Sequence, residues 1–221
     1  MATTKTQRIG IWIIAVFMAV GTIGSFAIIV LANSNSQADT ARYNELYAQY
    51  QKEQTAYTEK TDAQAKELSD KYYATFSQYA SRPSTFDKNG VSELKTEDLV
   101  VGTGEDLTKE STFTAYYIGW TPDGNIFDQS ISDGALKAPF TAAPGQVIQG
   151  WTKGVAGMKV GGVRELTIPS DLAYGETGSG DSIPANTPLK FVIMTIPTPT
   201  AIEQPMPSEE LTTLYSRLYG N

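Results

Sequence analysis

The chain has 221 residues, with 24 acidic and 17 basic side chains and a formal net charge of −7. Its length fits one or two domains, its 41% of hydrophobic residues can build a core, and its acidity argues against general nucleic-acid binding. Histidine and cysteine are absent, which excludes Ser-His-Asp and Cys-His nucleophilic sites, Cys/His zinc sites, thiol redox chemistry, disulfides and a lipidated cysteine anchor.

Residues 9–31 form an uncharged run, IGIWIIAVFMAVGTIGSFAIIVL. As a helix it would reach about 35 Å, enough to cross a hydrocarbon core of about 30 Å. Lys5 and Arg8 precede it, so the positive-inside rule puts residues 1–8 in the cytoplasm and the rest outside the membrane. The expected location is therefore a single-pass membrane protein with an extracytoplasmic domain. The competing reading is a cleaved signal peptide, with small-residue sites at Val30-Leu31-Ala32 and Ser36-Gln37-Ala38. Both readings export residues 40–221.

Residues 39–81 contain neither Gly nor Pro, and Pro83 follows. The spacing of Tyr43, Leu46, Tyr47, Tyr50, Tyr57, Leu68, Tyr72, Phe76 and Tyr79 predicts one helix with one apolar stripe. Gln54, Thr61 and Gln64 interrupt the stripe, making a weak coiled-coil seam. Two readings stay open: a helical stalk of about 65 Å, or a helix that grips clients or pairs weakly with a second copy.

Residues 85–197 change character, with frequent Gly and Pro and strand-like runs at 99–101, 112–120, 126–128, 163–168 and 189–196. Within 112–120, Phe113, Ala115 and Tyr117 share one face. Thr121-Pro122-Asp123-Gly124-Asn125 is a turn, because Pro fixes φ and Gly or Asn accepts positive φ. Val147, Trp151, Val155 and Met158 predict a short helix. The expected fold class is α+β, an antiparallel sheet curled around one short helix. Gly102-Thr103-Gly104 lacks what a phosphate loop requires and reads as a turn. Residues 198–221 read as a Pro-rich extended linker, with Pro199, Pro205 and Pro207, and a short helix capped at Ser208-Glu209-Glu210.

Several local phrases follow one another along the chain: Tyr117-Ile118-Gly119, Gly124-x-x-Phe127-Asp128, Pro139-Phe140, Gly145-Gln146-Val147-Ile148-Gln149-Gly150-Trp151, Leu172-Ala173-Tyr174-Gly175, Ile183-Pro184 and Leu189-x-Phe191. Over about 96–197 this order resembles the FKBP-type peptidyl-prolyl cis-trans isomerases, the macrolide-binding immunophilins. The resemblance implies a hydrophobic cup for a proline ring. Trp151 would be its floor, and Tyr117, Phe127, Phe140, Val147, Ile148 and Phe191 its walls. Tyr174 and the N–H of Ile148 would donate to substrate carbonyls, Asp128 would be the buried acid beside the twisted amide, and Ile183 the lip. Three departures stand out. No basic partner of the acid matches between Asp128 and Pro139, where Lys137 is the one cation. Gln146 stands where an acid is frequent, and Ser179-Gly180-Asp181-Ser182 lacks the usual aromatic or histidine.

The implied activity is isomerisation of Xaa-Pro bonds in exported proteins, with no cofactor and no metal. The expected partners are proline-containing unfolded polypeptides and macrolide inhibitors, with membrane contact through 9–31. The alternative is a non-catalytic proline-peptide-binding module or holdase.

Overall fold

The computed structural model describes residues 34–220. The apolar run 9–31, and with it the expected membrane helix, lies outside the described residues. Among those described, no helix is long and apolar enough to cross a membrane.

The described chain divides into two compact units, one of residues 53–205 and one of residues 34–52 with 206–220. A long helix, α1 (Ser34–Phe76), contributes to both. It starts earlier and ends earlier than the sequence suggests. A 3₁₀ turn, Ser77–Tyr79, follows it, and Pro83 lies beyond that turn, where a helix could not readily continue.

In residues 53–205 the strands are β1 (Lys95–Val100), β2 (Phe113–Trp120), β3 (Ile126–Gln129), β4 (Ile131–Ser132), β5 (Ala135–Leu136), β6 (Phe140–Ala142), β7 (Val163–Ile168) and β8 (Leu189–Ile196). The main sheet runs β1-β7-β8-β2-β3, with β6 also paired to β2 and every pairing antiparallel. The last strand thus lies in the middle, and β4–β5 forms a separate hairpin. The short helix α2 (Gln149–Gly154) crosses one face. It is shorter than the 147–158 spacing implies, but Val155 and Met158 beyond it are still buried.

The period-2 geometry of a strand sends alternate side chains to opposite faces, and here both faces are buried. Phe113 and Ala115 of β2, with Leu189, Phe191 and Ile193 of β8, join Trp151, Val155 and Met158 on the α2 side. Tyr116, Ile118 and Trp120, with Val192, Met194 and Ile196, form a second core on the reverse side. Phe76, fully buried at the end of α1, fills that second core, helped by Leu68, Tyr72, Tyr73 and Tyr79. The end of the helix is therefore part of the sheet domain. A stalk at 39–81 leaves the reverse face of 113–120 without a cover, and Phe76 with its neighbours supplies one.

Two contacts seat α2. Gly150 and Gly154 share one helix face, where a Cβ would collide with Ile168 at the first and approach the Leu166 side chain to 2.7 Å at the second. Arg164 of β7, itself buried, donates to the Gly154 and Ala156 carbonyls at 2.8 and 3.1 Å. Its other nitrogens pair with both carboxylate oxygens of Asp98 at 2.6 and 3.0 Å, which holds the Asp98 carboxyl below its usual range.

The region read as a linker is docked in this structure. Gln54 donates to the Pro205 carbonyl at 3.0 Å and Gln64 to the Thr200 carbonyl at 2.9 Å. In the other unit, helix α3 (Glu209–Tyr219), capped by the Ser208 hydroxyl on the Leu211 N–H, packs Leu211, Leu214 and Leu218 on Tyr43, Leu46, Tyr47 and Tyr50. Arg42 binds Glu210 through two hydrogen bonds, and Arg217 pairs with Asp39. Burial pushes the Tyr43 phenol up to about 12. The Tyr stripe expected to be open to a second copy is thus covered in part by the chain's own tail.

Truncating a buried aromatic in a packed core costs about 3–5 kcal/mol. Phe76→Ala should therefore lower the unfolding free energy of the chain by about that amount, measured by urea titration. A free stalk would lose under about 0.5 kcal/mol, as surface changes do.

Candidate active site

On the α2 side of the sheet a cavity of about 430 Å³ opens to the surface. Its lining is Tyr117, Phe127, Asp128, Phe140, Gly145, Gln146, Val147, Ile148, Trp151, Tyr174 and Phe191. Nine of the ten residues singled out from the sequence meet there. The tenth, Ile183, does not line the cavity. It is buried in the adjoining core at 4% exposure, and its N–H and C=O pair with Ser179 across the loop. An isoleucine next to a polar loop gains more by turning inward than by standing at a lip.

The cavity is built on Trp151, which α2 holds almost fully buried. Tyr117, Phe140 and Phe191 stand edge-on around the indole at centroid distances of 5.3, 6.0 and 5.3 Å. Phe127 in turn meets Phe191 edge-on at 5.5 Å. Edge-to-face packing is a preferred arrangement of aromatic quadrupoles, so these walls support one another without a ligand. Gly119 makes the last pair possible, since a Cβ there would lie 2.6 Å from both Phe127 and Phe191. The exposed flanks of Phe140 and Tyr174 form part of the rim.

One acid enters this apolar wall. Asp128 accepts the Tyr117 hydroxyl at 2.5 Å through one oxygen and the Gln129 N–H at 2.8 Å through the other. Its side chain is 39% exposed, so the carboxylate is half open rather than buried as the resemblance implies. Burial and the bond to Asp128 push the Tyr117 phenol well above the usual tyrosine range. Burial and the same nearby negative charge raise Tyr174 as well. Both hydroxyls keep their protons at neutral pH and can donate them in hydrogen bonds.

Lys137 supplies a cation that the residues 129–136 do not. Its Nζ lies 3.9 Å from Asp128 Oδ1 and donates to the Gln129 carbonyl at 2.7 Å. The β4–β5 hairpin returns the chain to Ser130, whose carbonyl accepts the Lys137 N–H at 2.8 Å, and so bridges a gap in sequence that a linear motif does not show. The hairpin is fixed from α1 as well, because the Leu136 N–H donates to Ser69 Oγ at 2.8 Å. Gly145 and Gln146 were not among the expected site residues, although both stand in the phrase that announces the cup. Gln146 Oε1 accepts the Ala143 N–H at 3.2 Å and closes the turn before α2. Ile148 precedes α2 in a non-helical conformation, φ −57° and ψ 150°.

Hydrogen bonds to charged groups contribute about 1.5–3 kcal/mol, while exposed ion pairs contribute about 0–1 kcal/mol. Tyr117→Phe should therefore destabilise the chain by about 1.5–3 kcal/mol in chemical denaturation, and Lys137→Ala by no more than about 1 kcal/mol. The reverse ranking would mean that the lysine, not the tyrosine, holds the acid.

Comparison with known proteins agrees with this geometry. The family model described as FKBP-type peptidyl-prolyl cis-trans isomerase matches residues 104–196. An FK506-binding protein of Neisseria meningitidis is 42% identical over 103 residues, 47% of this chain and 94% of that protein. FK506-binding protein 4 of Dictyostelium discoideum is 49% identical over 102 residues, 45% of this chain and 27% of that protein. A second N. meningitidis protein, named "Probable FKBP-type peptidyl-prolyl cis-trans isomerase FkpA", is 38% identical over 141 residues, 64% of this chain and 50% of that protein. The chain belongs to the FKBP-type peptidyl-prolyl cis-trans isomerase family.

Proposed function

We propose that this isomerase acts on Xaa-Pro bonds of exported polypeptides, in the cup floored by Trp151, from the outer side of a membrane that residues 9–31 anchor it to. The observation that carries the assignment of the cup is the ring of aromatic edges around one buried indole, with Asp128 and Tyr174 at its wall; the uncharged run 9–31, preceded by Lys5 and Arg8, supports the location.

A Xaa-Pro amide resists rotation because resonance gives its C–N bond double-bond character, with a barrier of about 18–20 kcal/mol. Unaided exchange takes tens to hundreds of seconds. Twisting the bond breaks conjugation and lowers the charge separation of the amide. An apolar cup disfavours the planar, more polar state relative to the twisted one. The proline ring would rest on Trp151, with Phe127, Phe140 and Phe191 excluding water from its sides. The Tyr174 hydroxyl and the Ile148 N–H would donate to flanking carbonyls and hold the peptide in the twisted geometry. Asp128, fixed by Tyr117, would lie beside the twisted amide. Only what strengthens in the twisted state speeds the step, at about 1.4 kcal/mol per tenfold in rate. No bond is made or broken, so a chain without histidine or cysteine lacks nothing the reaction needs. The same cup is expected to take FK506-type macrolides.

A neutral hydrogen bond contributes about 0.5–1.5 kcal/mol, so Tyr174→Phe should lower kcat/KM for a short Xaa-Pro peptide by about two- to tenfold, with a larger fall when Trp151→Ala is added. Wild-type rates in the folded double variant would refute the assignment. The topology is tested by protease added to intact and permeabilised cells. Digestion of the domain while the membrane that holds residues 9–31 is still sealed is expected, and protection until that membrane is opened would contradict it.

A further inference from the structure

Catalysis at the cup makes no use of the α1 face that carries Gln54, Thr61 and Gln64. These polar residues break the aromatic stripe, yet all three are half-buried. Two of them donate side-chain amide hydrogens to backbone carbonyls of the tail, at Pro205 and Thr200. The two glutamines are ten positions apart on α1, about 15 Å at a helical rise of 1.5 Å. The two carbonyls are five positions apart in the tail, about 15.5 Å at the polyproline II rise of 3.1 Å. The two repeats are therefore commensurate.

Burial in the tail tells the same story. Pro199, Ile202 and Pro205 are half-buried while the residues between them are exposed, the period of three expected of a polyproline II helix with one edge seated. The local sequence favours that conformation at both ends of the segment. Pro199 and Pro205 have fixed φ, and Thr198 and Gln204, each preceding a proline, are biased away from the α region. Recognition falls on carbonyls, which every polypeptide has, and on a three-residue apolar edge.

We propose that this face of α1 is a second binding surface, a receptor for extended proline-rich polypeptide in the polyproline II conformation, and that residues 198–205 occupy it in cis until such a segment of another polypeptide displaces them. The tethered tail competes at an effective concentration of about millimolar, so the face admits chiefly segments that are themselves held close, such as another part of a polypeptide already bound by the same chain. It would then retain a proline-rich client between turnovers. This surface lies outside the cup and does not depend on the catalytic assignment.

The test uses the full chain and a labelled peptide of residues 197–207, PTPTAIEQPMP, followed by fluorescence anisotropy. Ile202→Asp, which unseats the tail, should tighten peptide binding at least tenfold over wild type. Adding Gln64→Glu, which keeps the shape but removes the donor, should abolish the gain, and adding Trp151→Ala should leave it. Pro199→Gly with Pro205→Gly loosens the tail without a new charge, should show the same order, and serves where Ile202→Asp does not fold. No gain in either tail variant would overturn the proposal, as would a gain that survives Gln64→Glu. Loss of the gain with Trp151→Ala would place the peptide in the cup instead. A wild-type dimer that Gln64→Glu dissociates would assign the face to a second copy's tail and equally overturn it.

Discussion

Strand β2 must bury side chains on both of its faces, and the rest of residues 53–205 is arranged to meet that demand. Seven of its eight residues are buried. On one side its odd-numbered positions, Phe113, Ala115 and Tyr117, need a cover, and α2 provides it. On the other its even-numbered positions, Tyr116, Ile118 and Trp120, need one as well, and the end of α1 closes that side. A strand buried on both faces loses its polar alternation, which is why 113–120 reads as a nearly unbroken apolar run. The cup and the end of α1 are therefore two consequences of one strand, one on each of its faces.

The path from this constraint to the site is short. Tyr117 projects from β2 into the cup while its neighbours Tyr116 and Ile118 point into the other core. Its hydroxyl fixes Asp128 on β3, the strand paired to β2. Trp151 has its place because α2 sits close on β7 through Gly150 and Gly154, and because Arg164 ties the end of the helix to the sheet. Ser69 of α1 holds the hairpin next to Lys137, which in turn lies beside Asp128. A chemistry that needs no nucleophile and no acid–base pair depends all the more on such fixed walls.

Much of this is legible in the sequence, and the limits have physical causes. The strand at 189–196 has the same bounds in sequence and structure, because its apolar run is flanked by Pro188 and Pro197. The cup residues announce themselves through order and local wording, which composition alone does not convey. The cover on the reverse face was equally visible in Tyr116, Ile118 and Trp120, but period-2 reading from one face leaves the other unassigned. The docked tail was hidden for a different reason. Gln54 and Gln64 look like defects when the partner is assumed to be another apolar stripe, and become donors once the partner is a row of carbonyls. Lys137 and Ile183 depend on a hairpin return and on a loop closure, neither of which linear spacing encodes.

The central claim about the molecule is that the cup around Trp151 is where proline isomerisation is accelerated. The direct measurement is cis–trans exchange of a short Xaa-Pro peptide, followed by NMR with the full chain while an FK506-type ligand is titrated in. Catalysed exchange should fall in proportion to the ligand bound. A folded chain that leaves exchange at its uncatalysed rate, or exchange that continues unchanged with the ligand bound in the cup, would contradict it.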